Sequence, residues 1–146
     1  MKKIVLTLSL LLVVACKSKG SSCANVAQSL DPITKELDAI ASSADTAPPP
    51  SPADQASCAQ LTERHRRIES AQAKLSLVVS DDATLAKHLD AYRKHVGEWA
   101  KATKRAQTAC LSKDGNAMTA GISEAITHRS QLTPAAADIT TYCKAP

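Results

Sequence analysis

Apolar residues recur at helical spacing in four separate stretches of this chain, and each stretch begins or ends at a cysteine. Steps of three and four residues place such side chains on one face of an α-helix, whereas a half-buried strand needs alternation at every second residue. No stretch shows sustained alternation of that kind. The pattern therefore predicts an all-α domain of four helices. The four stripes are Cys23, Val26, Leu30, Ile33, Leu37, Ile40 and Ala44; Cys58, Leu61, His65, Ile68, Gln72, Leu75 and Val79; Leu85, Leu89, Tyr92, Val96, Trp99, Thr103, Ala106 and Cys110; and Met118, Ile122, Ala125, Arg129, Leu132, Ala136, Ile139 and Cys143, with Ile126 beside the last.

Short breaks separate these stripes. Residues 47–52 are rich in proline and cannot be helical inside, residues 80–82 offer caps for the third helix, and residues 113–116 form a turn before the fourth. Pro32 and Pro134 each follow a capping type of residue, so we expect the helix to restart or kink at both prolines. Four helices with short connections favour an up-down-up-down bundle.

The first sixteen residues have the pattern of a signal peptide followed by its cleavage site. A short basic start at Lys2 and Lys3 precedes an apolar run over residues 4–14, which has the length of a signal peptide. The segment Val13-Val14-Ala15-Cys16 resembles the lipobox of bacterial lipoproteins. That resemblance implies cleavage before Cys16 and acylation of its sulfur. It divides the chain into a signal peptide (1–15), a lipidated tether (16–22) and a helical bundle domain (23–146).

Four cysteines remain once Cys16 is assigned to the lipid. Export into an oxidising compartment favours two disulfides, while metal binding is the alternative, although the chain has no C-x-x-C pair. In an up-down-up-down bundle, Cys23 and Cys143 lie at one end and Cys58 and Cys110 at the other. The remaining pairings would have to bridge the whole length of the bundle, against a Cα–Cα limit near 7 Å. We therefore predict Cys23–Cys143 and Cys58–Cys110.

The same topology orients the domain. The resemblance implies a membrane attachment through Cys16, and only six residues separate that cysteine from Cys23. The Cys23–Cys143 end and the turn near Ser80 should therefore face the bilayer. The proline loop and the turn near Lys113 should point away from it. Because Lys17 rather than Asp follows Cys16, the resemblance to lipoproteins of double-membraned bacteria favours the outer membrane, facing the periplasm, although surface exposure is also open.

The charge balance excludes some partners. The formal charge of the whole chain is +4, and loss of the leader with Lys2 and Lys3 leaves 16 basic and 14 acidic residues. This balance is too mild to predict nucleic-acid binding. Basic residues nevertheless concentrate on the second and third helices, where they are either a solvated face paired with nearby acids or a surface for an anionic lipid or polymer. The candidate anion-facing residues are Arg64, Arg66, Arg67, Lys94, Lys101, Lys104 and Arg105.

No motif for catalysis or for a cofactor is recognisable. Nothing in the sequence resembles G-x-S-x-G, S-x-x-K or H-E-x-x-H, and four glycines form no phosphate-cradling loop. His65 lies in the second stripe and His128 borders the fourth, so the two could approach each other across the bundle, but a lone interior histidine is more often held by a neighbouring side chain than by a metal. We expect no enzyme activity, no cofactor and no metal site.

The sequence thus predicts a membrane-anchored envelope lipoprotein that acts as a non-enzymatic binding or structural module, with an envelope protein or a cell-wall polymer as partner. The alternative is a periplasmic chaperone-like or metal-sensing helical protein. Residues 61–65 and 132–136 resemble the L-T-x-x-Q repeats of helical periplasmic stress chaperones, but both segments lack the glutamine.

Overall fold

The computed structural model describes the backbone of residues 3–47 and 49–145, and the side chains of residues 19–47 and 49–145. The side chains of the predicted lipobox, including that of Cys16, lie outside the described residues. All regular structure in the described part is helical. The helices are α1 (Lys3–Thr46), α2 (Gln55–Ser76), α3 (Ala83–Leu111), α4 (Gly115–Ser130) and α5 (Leu132–Lys144).

The helices form the predicted up-down-up-down bundle, in which α4 and α5 together take the place of the fourth helix. Helix α3 packs against α2, α4 and α5, while α1 packs against α2 and α5. Both predicted disulfides are confirmed, and the Cα–Cα distance is 5.6 Å across Cys23–Cys143 and across Cys58–Cys110. We call the two ends of the bundle the Cys23 end, which includes the turn between α2 and α3, and the Cys58 end, which includes the proline loop and the turn between α3 and α4.

Aspartate side chains start three of the helices. Asp54, Asp82 and Asp114 are the N-cap residues of α2, α3 and α4, and each carboxylate accepts hydrogen bonds from backbone N–H groups of the first turn. Such bonds satisfy donors that a helix leaves without an internal partner. Lys113 has a φ of 60°, so the chain reverses through a left-handed residue immediately before Asp114. These caps fix where the helices begin and therefore where the two turns lie.

Two apolar clusters fill the bundle. The larger one takes in the Cys23 end and the middle of the molecule, and it includes side chains of α1, α2, α3 and α5 that are almost fully buried. The smaller one surrounds the other disulfide and consists of Cys58, Leu61, Ala106, Ala109, Cys110 and Met118, with Ile122 packed against it. The first and third predicted stripes match the buried residues closely, since all eight members of the third are buried.

The second stripe is correct at five of its seven positions and wrong at Gln72 and Val79. Ala71 and Val78 are buried, whereas Gln72 and Val79 are exposed. The prediction extended a strict seven-residue repeat from Cys58, but which face of α2 is buried depends on the helices that pack against it, and both Ile68 to Ala71 and Leu75 to Val78 are steps of three residues. The buried face has therefore moved back by one residue by the end of α2.

The two prolines behave differently. Helix α1 continues through Pro32, so the predicted restart there is wrong. Proline removes the donor to the carbonyl of Gln28, but both residues are exposed, and water can hydrogen-bond to that carbonyl instead. The predicted break near Pro134 is present, because Gln131 separates α4 from α5, and Pro134 lies in the first turn of α5. Residues 19–22 of the predicted tether are also helical, and a helix spans less than half the length of an extended chain.

Candidate binding cleft at the Cys58 end

The structure separates the candidate basic residues instead of gathering them on one face. Three of them are paired with acids: Arg66 with Glu63 of the same helix, Lys101 with Glu98, and Arg105 of α3 with Glu124 of α4. The Arg66 Nε–Glu63 Oε2 distance is 2.8 Å, and the Lys101 Nζ–Glu98 Oε1 distance is also 2.8 Å. Such exposed pairs are typical of a solvated surface and contribute little to stability.

An open groove between α2 and α3 collects Arg66, Lys101 and Lys104 around His65. Its volume is about 530 Å³, and Glu69 lies in the same wall, 3.4 Å from Nε2 of His65. The Nδ1 atom of His65 is buried without a hydrogen-bond partner among the described residues. Lys94 is exposed on α3, outside this groove. Because acidic residues lie in its wall and beside it, the groove carries both positive and negative charges.

A second depression lies at the Cys58 end, and we call it the arginine cleft. It lies between α1, α2 and α4 beneath the proline loop, with a volume of about 330 Å³. Arg64 of α2 and Arg129 of α4 enter it from opposite walls, and Arg67 lines the adjoining groove between α1 and α2. Apolar side chains supply most of the remaining surface, including Leu61, Ile122 and Ile126.

Arg129 is held in place by the end of α1. Its Nη1 atom donates to Oδ1 of Asp45 at 2.7 Å and to the backbone carbonyl of Ala41 at 3.3 Å. The side chain of Arg129 is 23% exposed, whereas that of Asp45 is 62% exposed. This ion pair therefore joins α4 to α1 across the bundle. It also forms a partly covered wall of the cleft.

Arg64 has no such partner. Its side chain is half-buried, and it makes neither a hydrogen bond nor an ion pair with any described residue. Burial lowers the pKa of Arg64, the positive charge of Arg129 lowers it further, and Asp45 opposes both effects. A guanidinium nevertheless stays protonated at any physiological pH. The cleft thus contains a permanent cation that is partly removed from water and lacks a counter-ion of its own.

The apolar part of the cleft reaches into the bundle. A smaller cavity of about 40 Å³ lies below it, where Trp99 and Thr103 of α3 meet Arg64. At the mouth, Ile126 is 52% exposed, although the fourth stripe places it next to core positions. A cationic group beside an apolar wall suits a ligand that carries an anionic group next to a hydrocarbon group.

Arg64 is among the candidate residues that the sequence indicates, but its surroundings were not predicted. Arg129 appeared only as a member of the fourth apolar stripe, and Asp45 was not singled out. A charged residue at a core position of a helical stripe is a usable signal, because a buried charge needs a partner. The partner itself was not predictable, since 84 residues separate Asp45 from Arg129.

The histidines are distributed differently from the expectation. His128 lies beside His95 of α3, with 6.4 Å between the ring centroids, instead of beside His65. Within the part of the chain that the structure describes, no three His, Cys, Asp or Glu residues are grouped so that they could hold a metal ion.

Comparisons with known proteins give no relative from which to transfer a function. No protein-family model, no curated protein and no solved structure matches the chain. Among the helices of the described residues, none combines the length and the hydrophobicity that crossing a bilayer requires.

Proposed function

We propose that this protein is a lipid-anchored protein of the bacterial envelope and that its disulfide-clasped bundle is a non-enzymatic binding module. The leader pattern that ends at Cys16 supports the anchor. Two disulfides in the body suit an exported protein, because thiols stay reduced in the cytosol. The partner is an envelope protein or a cell-wall polymer that presents an anionic group to the arginine cleft.

The half-buried, unpaired Arg64 is the observation that carries the binding proposal. A guanidinium pairs with a carboxylate or phosphate through two parallel hydrogen bonds, and such bonds are stronger where water is partly excluded. Arg129 is already engaged by Asp45, so Arg64 is the guanidinium of the cleft that remains available for a ligand. Leu61, Ile122 and Ile126 then contact the apolar part of that ligand.

The position of the cleft fits a tethered protein. The chain that leads to Cys16 enters the bundle at the Cys23 end, whereas the arginine cleft lies at the opposite end. A partner can therefore reach the cleft while the acyl chains remain in the bilayer. Two or three acyl chains give durable attachment, whereas a single chain holds only marginally.

Metabolic labelling with an alkyne analogue of palmitate tests the anchor. We expect the full-length protein, expressed in a bacterium, to carry the label and to sediment with membranes. The Cys16→Ser variant should lose both properties while its body remains folded. Unchanged membrane retention of Cys16→Ser would contradict the proposed anchor.

Site-specific photocrosslinking in intact cells tests the cleft. A photoreactive amino acid at Ile126 lies at the mouth of the cleft, and the same group at Leu111, which is 64% exposed, lies at the same end of the bundle but outside the cleft. We expect a crosslinked product from position 126 that is absent from position 111. Arg64→Gln should abolish that product, because it removes the unpaired charge. A product that persists in Arg64→Gln would argue against the cleft as the binding site.

A further inference from the structure

We propose that the turn between α2 and α3 inserts into the membrane surface, so that the bundle has a second, non-covalent contact with lipid. Leu77 is 79% exposed and Val79 is 77% exposed, and they are the most exposed large apolar side chains in the described part of the chain. This inference rests on the proposed anchor, because the anchor is what brings this end of the bundle to a bilayer.

The turn is held rigidly. Val78, between the two exposed residues, is 5% exposed and belongs to the larger core cluster, so its neighbours are directed away from the bundle. Arg93 of α3 donates from Nε to the carbonyl of Leu75 at 3.2 Å and from Nη2 to the carbonyl of Val78. The backbone N–H groups of Leu77 and Val78 bond to the last turn of α2. Insertion therefore requires little further ordering of the chain.

The same end of the bundle receives the chain that leads from Cys16. The Lys19 ammonium donates to the carbonyl of Ala145 at 2.8 Å and lies 4.7 Å from the ring centroid of Tyr142. The Tyr142 hydroxyl donates to Asp82, the N-cap of α3, at 2.7 Å. These contacts fix the start of the bundle, the end of α5 and the start of α3 beside one another. An anchor three residues before Lys19 therefore brings the turn that ends at Asp82 close to the bilayer.

The charges at this end favour an apolar contact over an electrostatic one. Lys87 and Lys144 are exposed there, but so is Asp81, and Asp82 is already bonded to Tyr142. A mixed surface of this kind gives little attraction to anionic lipid. The aliphatic side chains of Leu77 and Val79 supply the affinity, and the contact orients the bundle with its arginine cleft facing away from the membrane.

Tryptophan quenching by brominated lipid tests this inference. Leu77→Trp is compared with Leu111→Trp, which places the same residue at the opposite end, and both variants keep Trp99, which is 2% exposed. The full-length acylated proteins are incorporated into phosphatidylcholine vesicles with or without brominated acyl chains. We expect brominated lipid to reduce the emission of Leu77→Trp to about that of Trp99 alone and to leave the emission of Leu111→Trp unchanged.

Three results would overturn the inference. Equal emission of Leu77→Trp in both kinds of vesicle would show that the turn does not reach the acyl chains. Equal quenching of both variants would show that lipid contact is not specific to this end. A concentration-dependent blue shift of Leu77→Trp without vesicles would assign the turn to contact with a second copy of the chain.

Flotation of the unsubstituted protein and of Cys16→Ser with the same vesicles separates this inference from the proposed anchor. Flotation that depends on Cys16, without quenching at position 77, leaves the anchor intact and rejects the inserted turn. Failure of the unsubstituted protein to float contradicts both.

Discussion

The two ends of the bundle are closed by disulfides of equal Cα–Cα distance, but their packing differs. At the Cys23 end, the disulfide belongs to the larger cluster and is reinforced by polar contacts from Lys19 and Tyr142. At the Cys58 end, the cluster is small, and α4 contributes only Met118 and Gly121 as buried residues. The second end is therefore held by its crosslink and by the close approach of Gly121 in α4 to the backbone of Ala106 in α3, and it leaves an open cleft.

This difference shows how a small bundle can combine a stable core with an open cleft, which we propose as the binding site. Regions with few buried apolar contacts are the ones that open or rearrange most easily, and binding surfaces are commonly drawn from them. The larger cluster provides the rigid body, while the disulfide at the Cys58 end keeps α2 and α3 together beside the cleft. The predictions below test this division of roles.

Removal of the disulfides should lower the free energy of unfolding more than any other change considered below. The Cys23–Cys143 bridge closes a separation of 120 residues and the Cys58–Cys110 bridge one of 52. In the chain-entropy model these crosslinks stabilise the fold by about 5 and about 4 kcal/mol at 25 °C. We expect Cys23→Ser/Cys143→Ser to lower the free energy of unfolding in urea more than Cys58→Ser/Cys110→Ser does.

Amide hydrogen exchange sharpens that comparison. Loss of Cys58–Cys110 should increase exchange most strongly in α4, because few of its side chains are buried. Loss of the other bridge should lower protection throughout the bundle. Uniform loss of protection in both variants would contradict the division between the two ends.

Adding a methyl group at two glycines should have opposite effects. A Cβ at Gly121 would lie 2.7 Å from the backbone nitrogen of Ala106, whereas a Cβ at Gly20 meets nothing within 4 Å. Overpacking costs roughly 1 to 3 kcal/mol, and alanine gains up to about 1 kcal/mol over glycine in a helix. We expect Gly121→Ala to lower the melting temperature and Gly20→Ala to raise it slightly.

Equal melting temperatures for Gly121→Ala and the unsubstituted protein would show that α3 and α4 can separate without cost. That result would remove the argument that close backbone contact holds the Cys58 end. Photocrosslinking from position 126 in the Gly121→Ala background then reports whether the spacing of α4 matters for the cleft.

Loss of the two N-cap carboxylates should have the smallest effect on the free energy of unfolding, and that effect should depend on pH. The backbone N–H of Leu85 and then the Tyr142 hydroxyl lower the pKa of Asp82 from its usual value of 3.8, and Ser57 and Ala56 lower that of Asp54. A carboxyl whose folded pKa is lowered stabilises the fold above its unfolded pKa, and that contribution is lost as the pH falls through the folded value. We expect Asp82→Asn and Asp54→Asn each to reduce the dependence of urea stability on pH below about pH 4.

The two variants should differ in where the structure loosens. Asp82 also accepts from Tyr142, so Asp82→Asn should increase amide exchange at the end of α5, whereas Asp54→Asn should affect the start of α2. An unchanged acid dependence in both variants would show that these carboxylates do not determine acid stability.

Much of the fold was predictable because its causes are local. Apolar spacing specified the helices, residues 80–82 specified the cap of the third helix, and the position of each cysteine at the end of a stripe specified the pairing once the topology was assumed. The wrong predictions concern features that depend on contacts between helices and not on the sequence of one segment. Ala71 and Val78 replaced Gln72 and Val79 because rotation of α2 about its axis depends on what α1 and α3 present to it.

By itself, the sequence determined the helical class, the turns and the two crosslinks, since each depends on spacing along one helix or on which ends adjacent helices share. Only the tertiary structure decided that Arg64, Arg129 and Asp45 meet in one cleft while Arg66, Lys101 and Arg105 are paired elsewhere. The physical reason is that these residues come from helices distant in sequence, and their meeting depends on the rotation and separation of those helices. That geometry is fixed by packing of the whole bundle and is not encoded in the pattern of any single segment.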